Sequence, residues 1–171
     1  MSGYGLDKKY HLSNVLEKNL NKKGLKVKVI NASVSGDTSA GGLNRIDWTI
    51  SEKNIDIILL CLGANDMLRG ISPNETKKNL DQIIIKILNK KIQIVIAGMI
   101  APESHGKDYK NEFDKIFKSL SVKYEMDFIP FLLDGVALNP DLNLDDGMHP
   151  NEKGVIVISK NIEKKLLSIL D

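Results

Sequence analysis

The chain has 171 residues, a length that suits one domain spanning 1–171 with a sizeable core. Its 42% hydrophobic and 27% charged residues and net charge of +2 are those of a soluble globular protein, with lysines on solvated helix faces rather than in a nucleic-acid footprint. No apolar run approaches the ~18 residues of a membrane span, and the single cysteine, Cys61, excludes an intramolecular disulfide and reads as a small buried apolar residue.

In chain order, His11–Asn21 reads as a helix, with Leu12, Val15, Leu16 and Leu20 at the 3.6-residue period and Gly24 as the stop. Val27–Ala32 reads as a strand. The small polar residues Ser33 to Ser39, with Gly36 among them, form a loop. A helix with Leu43, Ile46 and Ile50 on one face follows. Ile55–Leu62 is nearly all apolar and of strand length, as suits a strand covered on both faces; it runs into Gly63-Ala64-Asn65-Asp66. Ser72-Pro73-Asn74-Glu75 starts a helix: Ser as N-cap, Pro at the first position, Glu placed to complete a capping box. Leu80, Ile83, Ile84, Ile87 and Leu88 line its inner face. Ile92–Met99 is the next strand, and a loop carries Pro102, Glu103, His105 and Gly106. Tyr109, Phe113, Ile116, Phe117 and Leu120 mark another amphipathic helix. Phe128–Leu132 is a short strand, and Asn151–Leu170 is the last helix.

Strands alternating with helices predict βαβ units around a parallel sheet, with functional groups on loops at the carboxyl ends of the strands. Such loops hold Gly36, Asn65 and the turn Asp145-Asp146-Gly147-Met148-His149-Pro150. In that turn a carboxylate stands three residues before a histidine. It can fold back onto Nδ1 and leave Nε2 as the acceptor of a general base; the same spacing also occurs in Asx-turns and helix caps. Gly36 lets a backbone N–H approach a ligand, and Asn65 carries a neutral double donor. Aimed at one point, those two donors make an oxyanion hole. Singly, Gly36 and Gly147 also read as turn residues and Asn65-Asp66 as a helix N-cap. Together on one rim they favour an acyl-transfer site.

These segments resemble those of the SGNH (GDSL-type) hydrolases, in particular the arylesterase, acyl-CoA thioesterase I and lysophospholipase group. Asn31-Ala32-Ser33-Val34-Ser35-Gly36-Asp37-Thr38-Ser39 is similar to the second block, whose Gly donates to the oxyanion. Leu62-Gly63-Ala64-Asn65-Asp66 is similar to the third, whose Asn is the side-chain donor. Asp66-Met67-Leu68-Arg69-Gly70 resembles the mobile loop that adjusts to acyl chains, which implies substrate contacts from Met67, Leu68 and Arg69. Asp146-Gly147-Met148-His149 matches the fifth block, with His149 as base and Asp146 as its partner. The resemblance covers essentially the whole chain. It implies a flavodoxin-like three-layer α/β/α sandwich with a central parallel sheet and no cofactor or metal. It also implies a monomeric ester or thioester hydrolase acting on small-molecule substrates, without nucleic-acid partners.

The departure is at the front. The family's first block is Gly-Asp-Ser-Leu, then Ser or Thr, a variable residue, Gly and an aromatic. Ser2-Gly3-Tyr4 matches only its tail, with Met1 at the Ser/Thr place. The nucleophilic serine and the first, central strand are therefore expected upstream of Met1. The chain as written is expected to be inactive and poorly stable, with a gap beside the Val27–Ala32 and Ile55–Leu62 strands or those two drawn together. Ser2 lies about a helical turn, ~5 Å, past the nucleophile position, too far for attack at ~3–3.5 Å. Ser33, Ser35 and Ser39 belong to the second block. The competing class is a non-catalytic acyl- or carbohydrate-binding relative, which needs neither a general base nor an oxyanion donor. A nucleotide binder is disfavoured by the absence of G-x-G-x-x-G and P-loop motifs. A signal peptide upstream of Met1 would send the protein to the periplasm or outside the cell; without one it stays in the cytoplasm.

Overall fold

Leu12, Leu16 and Leu20 recur every fourth residue and are buried along one side of α1, Leu12–Lys22. The same spacing builds the other long helices of this computed structural model, which describes residues 3–51 and 54–170. They are α2 (Ser39–Thr49), α4 (Pro73–Leu88), α5 (Lys107–Lys123) and α6 (Glu152–Leu170). A short α3, Ala64–Leu68, was not expected from the sequence, and 3-10 turns lie at Lys8–Tyr10, Glu103–His105 and Pro140–Leu142. The strands are β1 (Ile57–Leu60), β2 (Gln93–Ala97) and β3 (Asp127–Ile129), each shorter than its apolar run.

The chain divides into two compact units, Met1–Ser35 with Leu132–Asp171, and Gly36–Phe131. The second unit holds the sheet, in order β1-β2-β3, with all pairs parallel. Ile57 is opposite Gln93 and Val95 opposite Asp127. In the central strand Ile94, Val95, Ile96 and Ala97 are all buried, which is why it reads as an unbroken apolar run. Its core joins Ile46 of α2 and Ile50 just after it, Leu80, Ile83, Ile84 and Ile87 of α4, Ile94 and Ile96 of β2, and Phe113, Ile116, Phe117 and Leu120 of α5. Ser72 caps α4 by accepting from Glu75 N–H at 3.2 Å, with Pro73 at the first position. The reciprocal bond from the Glu75 carboxylate is not made among the described residues.

In the first unit α1 packs on α6. Val155, Ile158, Ile162 and Leu166 supply the apolar face of α6, and Asn19 of α1 donates to the buried Glu163 at 2.7 Å. Asn151 starts α6: its Oδ1 accepts from Lys153 N–H at 3.0 Å and Gly154 N–H at 3.1 Å, while its Nδ2 donates to the carbonyls of Asp141 and Asn143.

One expected element is absent: Val27–Ala32 forms no strand. A strand needs a neighbour to complete its ladder, and here side chains of α1 take that place. Asn21 accepts from Val27 N–H at 3.0 Å and donates to its carbonyl at 2.9 Å, and Glu17 accepts from Val29 N–H at 2.6 Å. Ile30, assigned to that strand, is 58% exposed. Among the described residues β1 has a strand partner on one side only.

Candidate active site

The Asp146–His149 turn closes on itself. Gly147, at φ +69°, lets its N–H reach the Leu144 carbonyl at 2.8 Å, and Leu144 N–H donates to the His149 carbonyl at 2.7 Å. The closure points the Asp146 carboxylate back along the turn. Its Oδ1 accepts from the backbone N–H of Met148 at 2.8 Å and of His149 at 2.9 Å, and its Oδ2 meets His149 Nδ1 at 2.7 Å. The His149 and Met148 amides, and then the imidazole, hold the Asp146 carboxyl down at about 2. A carboxylate on Nδ1 places the proton there and leaves Nε2 with a free lone pair. Nε2 has no partner among the described residues. The Tyr4 ring lies over the imidazole, with centroids 4.5 Å apart at 33°. A groove beside the turn has both apolar and polar residues in its lining, among them Leu138, Asn139, Asn143, Leu144 and Asp145.

The second unit holds the two candidate donors. Gly36 sits on the exposed loop before α2 at φ +74°, where a Cβ would be strained. Its N–H has no acceptor among the described residues, and its carbonyl accepts from Arg69 Nη2 at 2.8 Å. Asn65 is half-buried on α3, and its Nδ2 donates to the Asp37 carbonyl at 2.9 Å. An amide NH₂ has two hydrogens. One is used on Asp37, and that bond sets the direction of the other. Arg45 Nε in turn pins the Asp37 carboxylate at 2.7 Å. Met67 is half-buried, whereas Leu68 and Arg69 are exposed on the segment that ends at Ile71. The Tyr109 hydroxyl donates to the Ile71 carbonyl at 2.9 Å.

Next to Asn65, Asp66 is fully buried. It accepts from Ser39 N–H at 2.7 Å, from Ser39 Oγ and, more distantly, from Thr76 Oγ1 at 3.4 Å. Asn79 Nδ2 donates to Ser39 Oγ at 3.0 Å. Ser39 is thus occupied and buried, which removes it as a nucleophile; Ser33 and Ser35 are exposed, and Ser2 lies outside the described residues. Burial pushes the Cys61 thiol up, away from the reactive thiolate. Among the described residues no group of three or more His, Cys, Asp or Glu is placed to hold a metal ion, and no helix is long and apolar enough to cross a membrane.

The family model described as GDSL-like lipase/acylhydrolase matches residues 1–155. The chain belongs to this family. An arylesterase of Vibrio mimicus is 31% identical to it over 169 residues, covering 99% of this chain and 84% of that protein. The thioesterase 1/protease 1/lysophospholipase L1 of Escherichia coli K12 is 32% identical over 146 residues, covering 85% of this chain and 70% of that protein. The crystal structure of TesA superimposes with a TM-score of 0.93 at 29% identity, over 98% of this chain and 93% of that one. The family and the α/β fold class implied by the resemblance are therefore borne out, and with them the ester or thioester hydrolase class of this GDSL-like acylhydrolase.

The Asp66 cluster of this acylhydrolase has no motif in the sequence. Its members Ser39, Thr76 and Asn79 carry no common spacing. Tyr4 is the aromatic of a block tail, and nothing in the sequence ties it to His149.

Proposed function

We propose that this GDSL-like acylhydrolase cleaves small esters and thioesters by a Ser-His-Asp mechanism in which His149 is the base, Asp146 its partner, and Gly36 N–H and Asn65 Nδ2–H the oxyanion donors. The observation that carries this reading is the 2.7 Å contact of Asp146 with His149 Nδ1, which leaves Nε2 free to take a proton. The attacking serine is assigned to the family's first block. Its Oγ proton passes to His149 Nε2 as the oxygen adds to the acyl carbonyl. The negative charge that develops on the carbonyl oxygen is met by the two donors. His149 then protonates the departing alcohol or thiol, and in the second half takes a proton from water to release the acid. Met67, Leu68 and Arg69 contact the acyl chain.

The test is hydrolysis of p-nitrophenyl acetate, butyrate and octanoate, and of an acyl-CoA, by protein expressed with its upstream codons. His149→Ala should lower kcat by several orders of magnitude. A fluorophosphonate should label the first-block serine, as read by peptide mass spectrometry. Near-unchanged turnover in His149→Ala would overturn the assignment of the base, and a label on Ser33 or Ser35 would overturn that of the nucleophile.

A further inference from the structure

Asp66 buries a carboxylate completely, and among the described residues no lysine, arginine or histidine pairs with it. Burying a carboxyl group with no cationic partner is costly. A neutral side chain of the same size would fill the space without that cost, so packing alone does not account for the residue. Its hydrogen bonds do. The Ser39 N–H belongs to the first turn of α2, where amides lack a partner inside the helix and the helix dipole favours an anion. Asp66 Oδ2 takes that N–H at 2.7 Å, and Oδ1 takes the Ser39 hydroxyl. Two bonds to one residue fix its direction as well as its distance.

These bonds close a ring. It runs from Asn65 through the peptide bond to Asp66, across to Ser39, back along Thr38 to Asp37, and through the Asp37 carbonyl to Asn65 Nδ2 at 2.9 Å. Gly36 is the next residue along the same loop. Both donors therefore hang on one hydrogen-bonded ring, and the Asp66 carboxylate supplies one of the two junctions that close it, the Asn65–Asp37 bond being the other.

We propose that Asp66 is a positioning residue for the oxyanion hole, locking the loop that carries Gly36 to the helix that carries Asn65. This rests on the assignment of Gly36 and Asn65 as the donors. Donors help most when their geometry is set before charge develops, so loosening the ring raises the barrier and leaves ground-state binding alone.

The experiment uses Asp66→Asn in protein expressed with its upstream codons. The variant keeps the volume and one acceptor but cannot hold both Ser39 groups as the carboxylate does. Expected are a kcat about 10- to 100-fold lower, KM within about threefold, and inactivation by a p-nitrophenyl phosphonate slowed in step with kcat. The matched control is Glu163→Gln, another buried carboxylate, held by Asn19 and Ser159 on α1 and α6. It should lower the melting temperature without changing kcat. Full activity in Asp66→Asn beside an impaired Asn65→Ala would overturn the positioning role and leave the donors standing. An increase in KM alone would also overturn it. Full kcat in both variants would overturn the donor assignment itself. If Asp66→Asn does not fold, Ser39→Ala is read in its place: a lower kcat at unchanged KM supports the proposal, and an unchanged kcat overturns it.

Discussion

Asp146 stays ionised because three hydrogen-bond donors converge on it, two of them backbone amides. Its folded pKa, about 2, lies below the ordinary 3.8, so its contribution to stability is complete above pH 4 and is lost as pH falls toward 2. Asp146→Asn should therefore melt below the parent protein at pH 6, and the gap should close on acidification below pH 4. A gap that is constant with pH would mean that the carboxylate's charge is irrelevant to the turn. The same variant should lower kcat by about 10⁴-fold, because an amide no longer selects the imidazole tautomer. The Asp146–His149 geometry was legible in the sequence because it is local, three residues on one turn. The environment of Asp66 was not, because its main partner, Ser39 at the start of α2, is 27 residues away in the chain.

The helices follow their apolar spacing to within a residue or two at most ends, since each long one buries a stripe that recurs every three to four positions. α3 escaped because five residues are too few to show a period. Val27–Ala32 misled for another reason: alternation shows that a segment could pair, and only tertiary structure supplies the neighbour. The capping of α6 belongs to this scale as well. Asn151 answers two first-turn amides and holds the carbonyls of Asp141 and Asn143, just ahead of the His149 turn. Asn151→Ala should cost about 1–2 kcal/mol in urea unfolding, as lost caps do. A change below ~0.3 kcal/mol would show that water replaces those bonds without loss.

The sheet and the core of the Gly36–Phe131 unit set the stability of that unit. Phe117 is 1% exposed and meets Phe113 edge-on. Phe117→Ala should cost about 3–5 kcal/mol, measured by denaturant unfolding, out of the ~5–15 kcal/mol a domain has in hand. The βαβ order of that unit was readable from alternating runs, and among the described residues β1 has a strand partner on one side only, the side of the Ile55–Leu62 strand beside which a gap is expected being open. The other unit is assembled from the two ends of the chain, and this has a consequence for synthesis on the ribosome. Asn19 and its partner Glu163 are 144 residues apart. At ~5–20 residues per second the nascent chain carries α1 for about 7–30 s before α6 has been made. Through that interval Leu12, Leu16 and Leu20 lack the helix they pack against in the folded protein. Newly made protein therefore presents the apolar face of α1 to chaperones, and to aggregation, until α6 follows.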